Sequence, residues 1–253
     1  MHTTLVINSK GGSGKTTVAT NLASYFAAQG LPTAILDYDP QGSSLNWLGS
    51  RSPRAPLIHG ANGAPQRSGL RSIGLHVPES TRHLVIDAPA GVSGLLLQEM
   101  LSRTHCLLIP VAPSAIDIHA TANFIRDLLL KGTIRIRGIR LGVIANRVRS
   151  SMPVYQPLER FLNSLSMPLL TRLSDSDTFL KSAESGTGIF EMDFAASATE
   201  RQQFAPIVEW LESPQIKLDK IQPARPSVLA GLTASRPGLR VVNSSIPAFL
   251  TRR

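Results

Sequence analysis

The stretch SKGGSGKTT, residues 9–17, follows the apolar run at residues 5–7 and precedes a segment of helical character. A glycine-rich turn between a strand and a helix points backbone N–H groups at phosphate oxygens, and the helix N-terminus adds its positive dipole end. In this register Lys15 reaches the β- and γ-phosphates, and the Thr16 hydroxyl ligates Mg²⁺. The stretch therefore predicts a nucleoside triphosphate site formed by Lys10, Gly11, Gly12, Ser13, Gly14, Lys15, Thr16 and Thr17.

The loop departs from the usual phosphate-loop pattern, because Ser9 stands where that pattern has its first glycine and a second lysine, Lys10, follows. Lys15, Mg²⁺ and the loop amides already neutralise the phosphates bound by the same protomer. A second cation is more useful when it reaches a neighbouring subunit's phosphates, as an arginine finger does. We therefore expect Lys10 to act across an ATP-dependent homodimer; the alternative is a solvated surface charge.

Composition limits the function classes. The 253 residues are 42% hydrophobic, enough for one α/β core, but only 5% aromatic, which argues against a stacking platform for single-stranded nucleic acid. The net charge of +9 favours an anionic partner. Cys106 is the only cysteine, so the sequence carries neither a disulfide framework nor a cysteine metal cluster. With no leader and no apolar run near the roughly 20 residues of a spanning helix, we expect a cytoplasmic protein without stable membrane insertion.

Short β-branched strands alternate with helices along the chain. The predicted strands are 5–8, 33–37, 83–87, 106–111, 141–145 and about 168–172, and residues 50–80 give weak signals. The predicted helices are 15–29, 93–103, 115–131, 154–165, 176–185 and 197–212. The alternation predicts an α/β fold, a three-layer doubly wound and mostly parallel sheet of the P-loop NTPase type.

The pattern decays after residue 213, because prolines interrupt every candidate helix. Residues 214–253 carry seven Lys and Arg against one acid, Asp219. We therefore predict an ATPase domain at 1–213 and a flexible basic tail at 214–253.

Three aspartates end or follow predicted strands, where ligands of parallel sheets bind. Asp37 and Asp39 lie in ILDYDPQGSSLNW (35–47), and Asp87 lies in HLVIDAPAG (83–91). Near a γ-phosphate, one carboxylate can hold Mg²⁺ through water while another orients the attacking water. For Asp39 the alternative is a turn built on Asp-Pro.

The loop KGGSGKT, the segment DYDPQG and the strand HLVIDAPAG resemble the signatures of the ParA/MinD family of deviant Walker A ATPases, in the same order and over about residues 2–212. The resemblance implies an ATPase with ATP and Mg²⁺ as cofactors and Lys10, Lys15 and Asp39 as catalytic residues. It implies that Asp39 positions water, and that Thr16, Asp37 and Asp87 serve the metal. In that family the first lysine of the loop crosses the dimer interface.

The resemblance also suggests adenine contacts. GVIANRV (142–148) places Asn146 where the family has an asparagine for the adenine edge, and an amide can pair with adenine. Asparagine at a strand end is also a routine turn residue. Arg172 follows the next predicted strand, and we expect it to flank the base.

By resemblance, the first functional hypothesis is a ParA-type positioning protein. Its ATP dimer binds nonspecific double-stranded DNA of the nucleoid, and an adaptor protein stimulates hydrolysis; the cargo is a plasmid, a chromosomal locus or a microcompartment such as the carboxysome. The stretch at 131–149 supports DNA binding, with six Lys and Arg and no acid. The predicted DNA contacts are Arg135, Arg137, Arg140, Arg147 and Arg149; a solvated loop is the alternative.

Two other functions stay open. A MinD-like membrane switch needs a terminal amphipathic helix, but Pro237 and Pro247 interrupt the last stretch, where Phe249 and Leu250 are the apolar candidates. An ATP-dependent ligase on the same core is the other alternative, whereas Cys106 alone cannot hold an iron–sulfur cluster.

Overall fold

The structure, a computed structural model, describes residues 1–65, 76–130, 132–149, 156–164 and 167–213. Within these residues seven strands pair into one sheet: β1 His2–Val6, β2 Thr33–Asp37, β3 Ile58–Asn62, β4 His83–Asp87, β5 Cys106–Val111, β6 Arg140–Val148 and β7 Leu169–Ser174. The helices are α1 Lys15–Ala28, α2 Ser43–Gly49, α3 Gly94–Arg103, α4 Ala115–Leu130, α5 Thr133–Ile136, α6 Gln156–Ser164, α7 Asp177–Ser185 and α8 Phe194–Glu212.

The strand order places β1 near the centre of the sheet. The order is β3-β2-β4-β1-β5-β6-β7, and every pairing between these strands is parallel. The chain moves from β1 towards β2 on one side and from β4 across to β5 on the other, so the order reverses at β1. Such a reversal opens a crevice beyond the carboxyl ends of the strands, where ligands bind in open α/β sheets.

Helices cover both faces of the sheet, which confirms the predicted three layers. Leu5 and Ile7 belong to the core that includes residues of α3, α4 and α6, whereas Val6, between them, belongs to the core that includes residues of α1, α2, α7 and α8. All three side chains are fully buried. Alternate residues of a strand point to opposite faces, so one short apolar run supplies both cores.

Most predicted strands and helices are present, with differences in a few elements. Strands 33–37, 83–87 and 106–111 occur at the predicted residues, whereas β1 spans residues 2–6 rather than 5–8. Helix α2 was not predicted. Its N-cap, Gly42, has a φ of 61°, and the backbone N–H groups of its first turn donate to the side chain of Asp37, which lies outside the helix. Strand β3 and helix α5 are short and were not predicted individually.

The predicted tail at 214–253 lies outside the described residues, so the domain division after residue 213 stays a prediction. Among the residues that the structure describes, no helix combines the length and the apolar character needed to cross a membrane.

Candidate nucleotide-binding site

The glycine-rich loop connects the end of β1 to the start of α1, at the reversal point of the sheet. Gly14 is the residue before the helix, with a φ of 91°, a conformation that L side chains rarely adopt. A side chain at Gly14 would also collide with the amide of Asn146. The loop therefore needs glycine here for its backbone angle and for the close approach of β6.

Lys15 is folded back over the loop. Its side chain is buried, and its ammonium donates a hydrogen bond to the carbonyl of Lys10 at 3.1 Å. Burial lowers the pKa of Lys15, and the charges of Asp87 and Asp39 act in the opposite direction. This ammonium lies within the loop, at the place where a bound phosphate would be held.

Lys10 occupies a different environment. The residue is half-buried, its backbone N–H donates to Asn8 Oδ1 at 3.4 Å, and its carbonyl accepts from Lys15 Nζ and Ser13 Oγ. Among the described residues, the Lys10 ammonium forms no hydrogen bond or ion pair. The backbone of Lys10 is thus fixed while its charge is not neutralised by these residues.

Thr16 and Asp87 form the pair that suits Mg²⁺. The Thr16 hydroxyl donates to Asp87 Oδ2 at 2.8 Å, whereas Asp87 Oδ1 is buried without a hydrogen-bond partner. Burial, opposed by the Thr16 hydrogen bond and reinforced by the Asp37 charge, raises the pKa of Asp87 to about 7. A buried carboxylate oxygen without a partner is an unstable arrangement that a cation or its bound water would relieve.

This donor set fits Mg²⁺ held jointly by protein and phosphate. No group of three or more His, Cys, Asp and Glu side chains in the described parts of the chain is arranged to hold a metal ion. Mg²⁺ in nucleotide sites usually takes one or two protein oxygens, phosphate oxygens and water, so Thr16 and Asp87 suffice.

Asp37 and Asp39 differ more than the sequence suggests. Asp37 is fully buried, and its oxygens accept backbone hydrogen bonds from Asp39 at 2.9 Å, Ser44 at 3.1 Å and Leu45 at 3.2 Å. It therefore caps α2 from the adjacent strand. Asp39 is half-buried; its charge opposes the lowering of the Lys15 pKa by burial and adds to the raising of the Asp87 pKa. The predicted water-positioning residue thus lies close enough to influence the site electrostatically.

Asn146 contacts the phosphate loop directly. Its amide Nδ2 donates to the Ser13 carbonyl at 2.9 Å, and the residue is almost fully buried at the end of the sheet. Arg172, by contrast, is exposed on β7 and forms an ion pair with Glu159 of α6. Their roles at the adenine stay predictions; the structure adds a second role for Asn146, which ties β6 to the loop.

The sequence matches the CobQ/CobB/MinD/ParA nucleotide binding domain over residues 4–189. The chain belongs to this family. As a ParA/MinD-type protein it is an ATPase, and ATP and Mg²⁺ are its cofactors.

Its similarity to individual proteins is distant but extensive. The chain is 25% identical over 173 residues to the maintenance of carboxysome distribution protein A of Halothiobacillus neapolitanus, covering 67% of this chain and 77% of that protein. It is 26% identical over 210 residues to the chromosome-partitioning ATPase Soj of Thermus thermophilus, covering 69% and 84%. A chain of the Aquifex aeolicus MinC:MinD complex superposes with a TM-score of 0.62 at 17% identity, covering 87% of this chain and 99% of that chain. The last comparison shows the fold.

In this ParA/MinD-type chain the predicted DNA-binding arginines lie at or beyond both ends of one strand, and their contact with DNA stays a prediction. Arg140 begins β6 and Arg147 lies seven residues on, at most about 23 Å away at 3.3 Å per residue. Arg140 donates to the Ser213 carbonyl at 2.9 Å and stacks over Trp210, so it caps the end of α8. Arg137 donates to the Ser102 carbonyl of α3, and Arg149 pairs with Asp175 at 3.0 Å.

Two functional contacts were missed from the sequence. Asn8 is fully buried directly before the loop, where its side chain reaches both the loop and the neighbouring β5–α4 unit. Asp37 holds the start of α2, and its service to the metal stays a prediction. A polar residue that ends a buried apolar run is a usable signal for Asn8, because such a side chain must find hydrogen-bond partners.

Proposed function

We propose that this chain is an ATP-controlled dimerising switch that binds DNA without sequence preference and positions or partitions an intracellular cargo. The observation that carries the proposal is the contrast between the two lysines of the loop. Lys15 is buried and turned into the loop, whereas the Lys10 ammonium has no partner among the described residues. A cation left in this state beside a phosphate site is available to the nucleotide of a second protomer.

Within one protomer the residues have separate tasks. Lys15 would leave the Lys10 carbonyl to bind phosphate oxygens, and Asp39 would orient the attacking water. Thr16 and Asp87 would hold Mg²⁺, which would supply positive charge against the transferred phosphoryl group. Asn146 holds the loop against β6, and Asp37 fixes α2 behind Asp39.

Light scattering tests the dimer directly. We expect a monomer with ADP or without nucleotide and a dimer with ATP, trapped in the Asp39→Ala variant because hydrolysis is nearly lost. Lys15→Ala should abolish nucleotide binding, whereas Lys10→Ala should bind nucleotide and stay monomeric. An identical mass in all nucleotide states of the unmodified protein would overturn the proposal.

Binding to random-sequence duplex DNA tests the output of the switch. We expect binding with ATP, far weaker binding with ADP, and a loss of affinity with rising salt that reports the number of phosphates neutralised. Liposomes in a parallel assay separate the membrane alternative: retention of the ATP form by lipid and not by DNA would replace this proposal.

The position of the arginines refines the DNA proposal. A DNA surface controlled by ATP is most directly coupled to the nucleotide when it lies at the carboxyl edge of the sheet, where Arg147 lies near the end of β6 and Arg149 directly follows the strand. We therefore expect Arg147→Ala with Arg149→Ala to weaken DNA binding more than Arg135→Ala with Arg137→Ala. If Arg135→Ala with Arg137→Ala weakened DNA binding more, the DNA surface would instead lie at the amino-terminal edge of the sheet.

Similarity supports the proposed cargo positioning, because the relatives include a carboxysome-distribution protein and a chromosome-partitioning ATPase. The cytoplasmic nucleoid as the location and an adaptor that stimulates hydrolysis are further parts of the proposal. Co-purification of the trapped Asp39→Ala dimer with cell extract, against the Lys15→Ala variant, identifies an adaptor that recognises only the ATP form. Stimulation of hydrolysis by that adaptor is the confirming measurement.

A further inference from the structure

We infer that Asn8 is the positioning residue of Lys10, the residue that fixes the direction in which the bridging lysine leaves the loop. The inference rests on the proposed function, in which Lys10 acts on the nucleotide of the second protomer. It assigns a task to a side chain that lies outside the glycine-rich sequence.

Asn8 is anchored on a part of the fold that does not belong to the loop. Its Nδ2 donates to the Pro110 carbonyl of β5 at 2.7 Å and to the Thr121 hydroxyl of α4 at 3.1 Å. Both Asn8 and Thr121 are completely buried. A buried amide with these partners is held in one orientation, because any rotation would leave polar atoms unsatisfied.

The other end of the Asn8 amide faces the loop. Oδ1 accepts from the Lys10 backbone N–H at 3.4 Å and from the Ser9 hydroxyl at 3.3 Å, and the Thr121 hydroxyl also lies within hydrogen-bond distance of it at 3.4 Å. The Lys10 carbonyl is held from the opposite side by Lys15 Nζ and Ser13 Oγ. The two peptide groups that flank the Lys10 Cα are therefore both hydrogen-bonded, and the starting direction of its side chain is set.

The hydrogen bonds to the N–H and to the carbonyl of Lys10 respond differently when phosphate binds. Lys15 must release the Lys10 carbonyl in order to bind phosphate, whereas the Asn8 contact does not involve a phosphate ligand. Asn8 is then the fixed point from which Lys10 projects in the ATP state. A bridging cation displaced by about 1 Å loses as much as a hundredfold in rate or affinity, so this fixed point matters for dimerisation.

Asn8→Ala is the first test, with Asn21→Ala as the matched control. Asn21 is also a buried asparagine; its amide hydrogen-bonds to Thr17, Ser182 and Ile189, without contact to Lys10. We expect Asn8→Ala to keep nucleotide affinity within about threefold while the ATP-dependent dimer weakens at least about tenfold. Adding Lys10→Ala to Asn8→Ala should weaken the dimer no further than Lys10→Ala alone.

A mixing experiment distinguishes positioning from structural support. Lys15→Ala cannot bind nucleotide but offers an intact Lys10, and Asn8→Ala binds nucleotide but misplaces its own Lys10. We expect Lys15→Ala to be inactive alone and Asn8→Ala to have strongly reduced ATPase activity. The mixture should recover part of the activity, because one composite site is complete. Asn21→Ala should retain its activity without mixing, although it loses a comparable amount of stability.

The outcomes distinguish the positioning role of Asn8 from its premise, the bridging role of Lys10. The mixture of Lys10→Ala with Lys15→Ala must also recover activity; failure there overturns the bridging role of Lys10 and, with it, the inference. If that mixture recovers and Asn8→Ala with Lys15→Ala does not, Asn8 serves its own nucleotide pocket and the inference alone fails. An Asn8→Ala variant that dimerises like the unmodified protein overturns it as well. If Asn8→Ala does not fold, Asn8→Ser takes its place in both assays with the same expected results.

Discussion

Asp37 and Asp87 end the neighbouring strands β2 and β4, and they are register partners in the parallel pairing. Both are buried, at 0% and 1% exposure. Asp37 accepts three backbone hydrogen bonds, whereas Asp87 accepts one hydroxyl and leaves Oδ1 without a partner. The pKa of Asp87 is raised to about 7. Because both carboxylates are buried, the number of hydrogen bonds that each accepts distinguishes them. Asp37 is fully used in holding the backbone, whereas Asp87 has an oxygen available to a cation.

The largest expected effect follows Asp87→Asn in the nucleotide-free protein. The folded-state pKa of about 7 lies above the ordinary 3.8, so stability falls as pH rises between these values and the full penalty is present above pH 7. Asparagine removes that penalty, and about 1.4 kcal/mol per pKa unit sets an upper limit of about 4 kcal/mol for the gain at pH 8. Urea unfolding at pH 8 and pH 5 measures it, and the gain should shrink at pH 5.

The control for this prediction is Asp127→Asn, an exposed aspartate on α4. It should change the free energy of unfolding little at either pH. An Asp87→Asn protein that is no more stable than the unmodified protein at pH 8 would break the comparison. The same variant should lose Mg²⁺-dependent hydrolysis, because the neutral amide of asparagine replaces the charged carboxylate that would face the metal.

Asp37→Asn should lower the free energy of unfolding, the opposite of the effect expected for Asp87→Asn. An amide can accept on one side only, so at least one of the backbone N–H groups of Asp39, Ser44 and Leu45 loses its acceptor. Hydrogen bonds to a charged group contribute about 1.5–3 kcal/mol each, so we expect a loss of about 3 kcal/mol at pH 7. Thermal unfolding measures it as a fall of about 6–12 °C. If Asp37→Asn and Asp87→Asn changed the free energy of unfolding in the same direction, the structural task of Asp37 and the cation-binding task of Asp87 would not be distinct.

Local sequence was sufficient for the elements that carry the site. Strand β4 was predicted to its terminal residues, because the apolar run 84–86 ends at an acid before Ala-Pro-Ala-Gly. Lys15 and Thr16 were placed at the start of α1 by their register with a strand on one side and a helix on the other. These features involve residues close in sequence, so their spacing alone fixes them.

Contacts between distant residues could not be predicted. Asn8 meets Pro110 and Thr121 more than 100 residues away, and Asn146 meets Ser13 across the sheet. The arginines show the same limit: they belong to one basic run in sequence, but Arg140 begins β6 whereas Arg149 follows its other end. Hydrogen-bond partners and surfaces depend on strand order, which the local pattern does not contain.

A smaller effect should follow Thr16→Val, which sharpens the comparison at Asp87. The Thr16 hydroxyl lowers the pKa of Asp87, so its removal should raise that pKa further and cost about 1 kcal/mol at pH 8. Stability measured across pH 5 to 9 should show its pH-dependent fall extended to higher pH. Thr17→Val is the control, with the same change of shape one residue along the helix and without contact to Asp87. An unchanged pH profile in Thr16→Val would contradict the cause assigned to the pKa.

The smallest effect concerns how Asp37 holds α2. Ser44 contributes its backbone N–H to Asp37, while its hydroxyl is buried without a partner. Ser44→Ala keeps the N–H, removes an unsatisfied hydroxyl and introduces a better helix former, so stability should stay within about 0.5 kcal/mol or rise. Exposed Ser43→Ala gives the propensity effect alone, and urea unfolding compares the two. A loss above about 1 kcal/mol in Ser44→Ala alone would mean that the hydroxyl, rather than the backbone, shares in the cap.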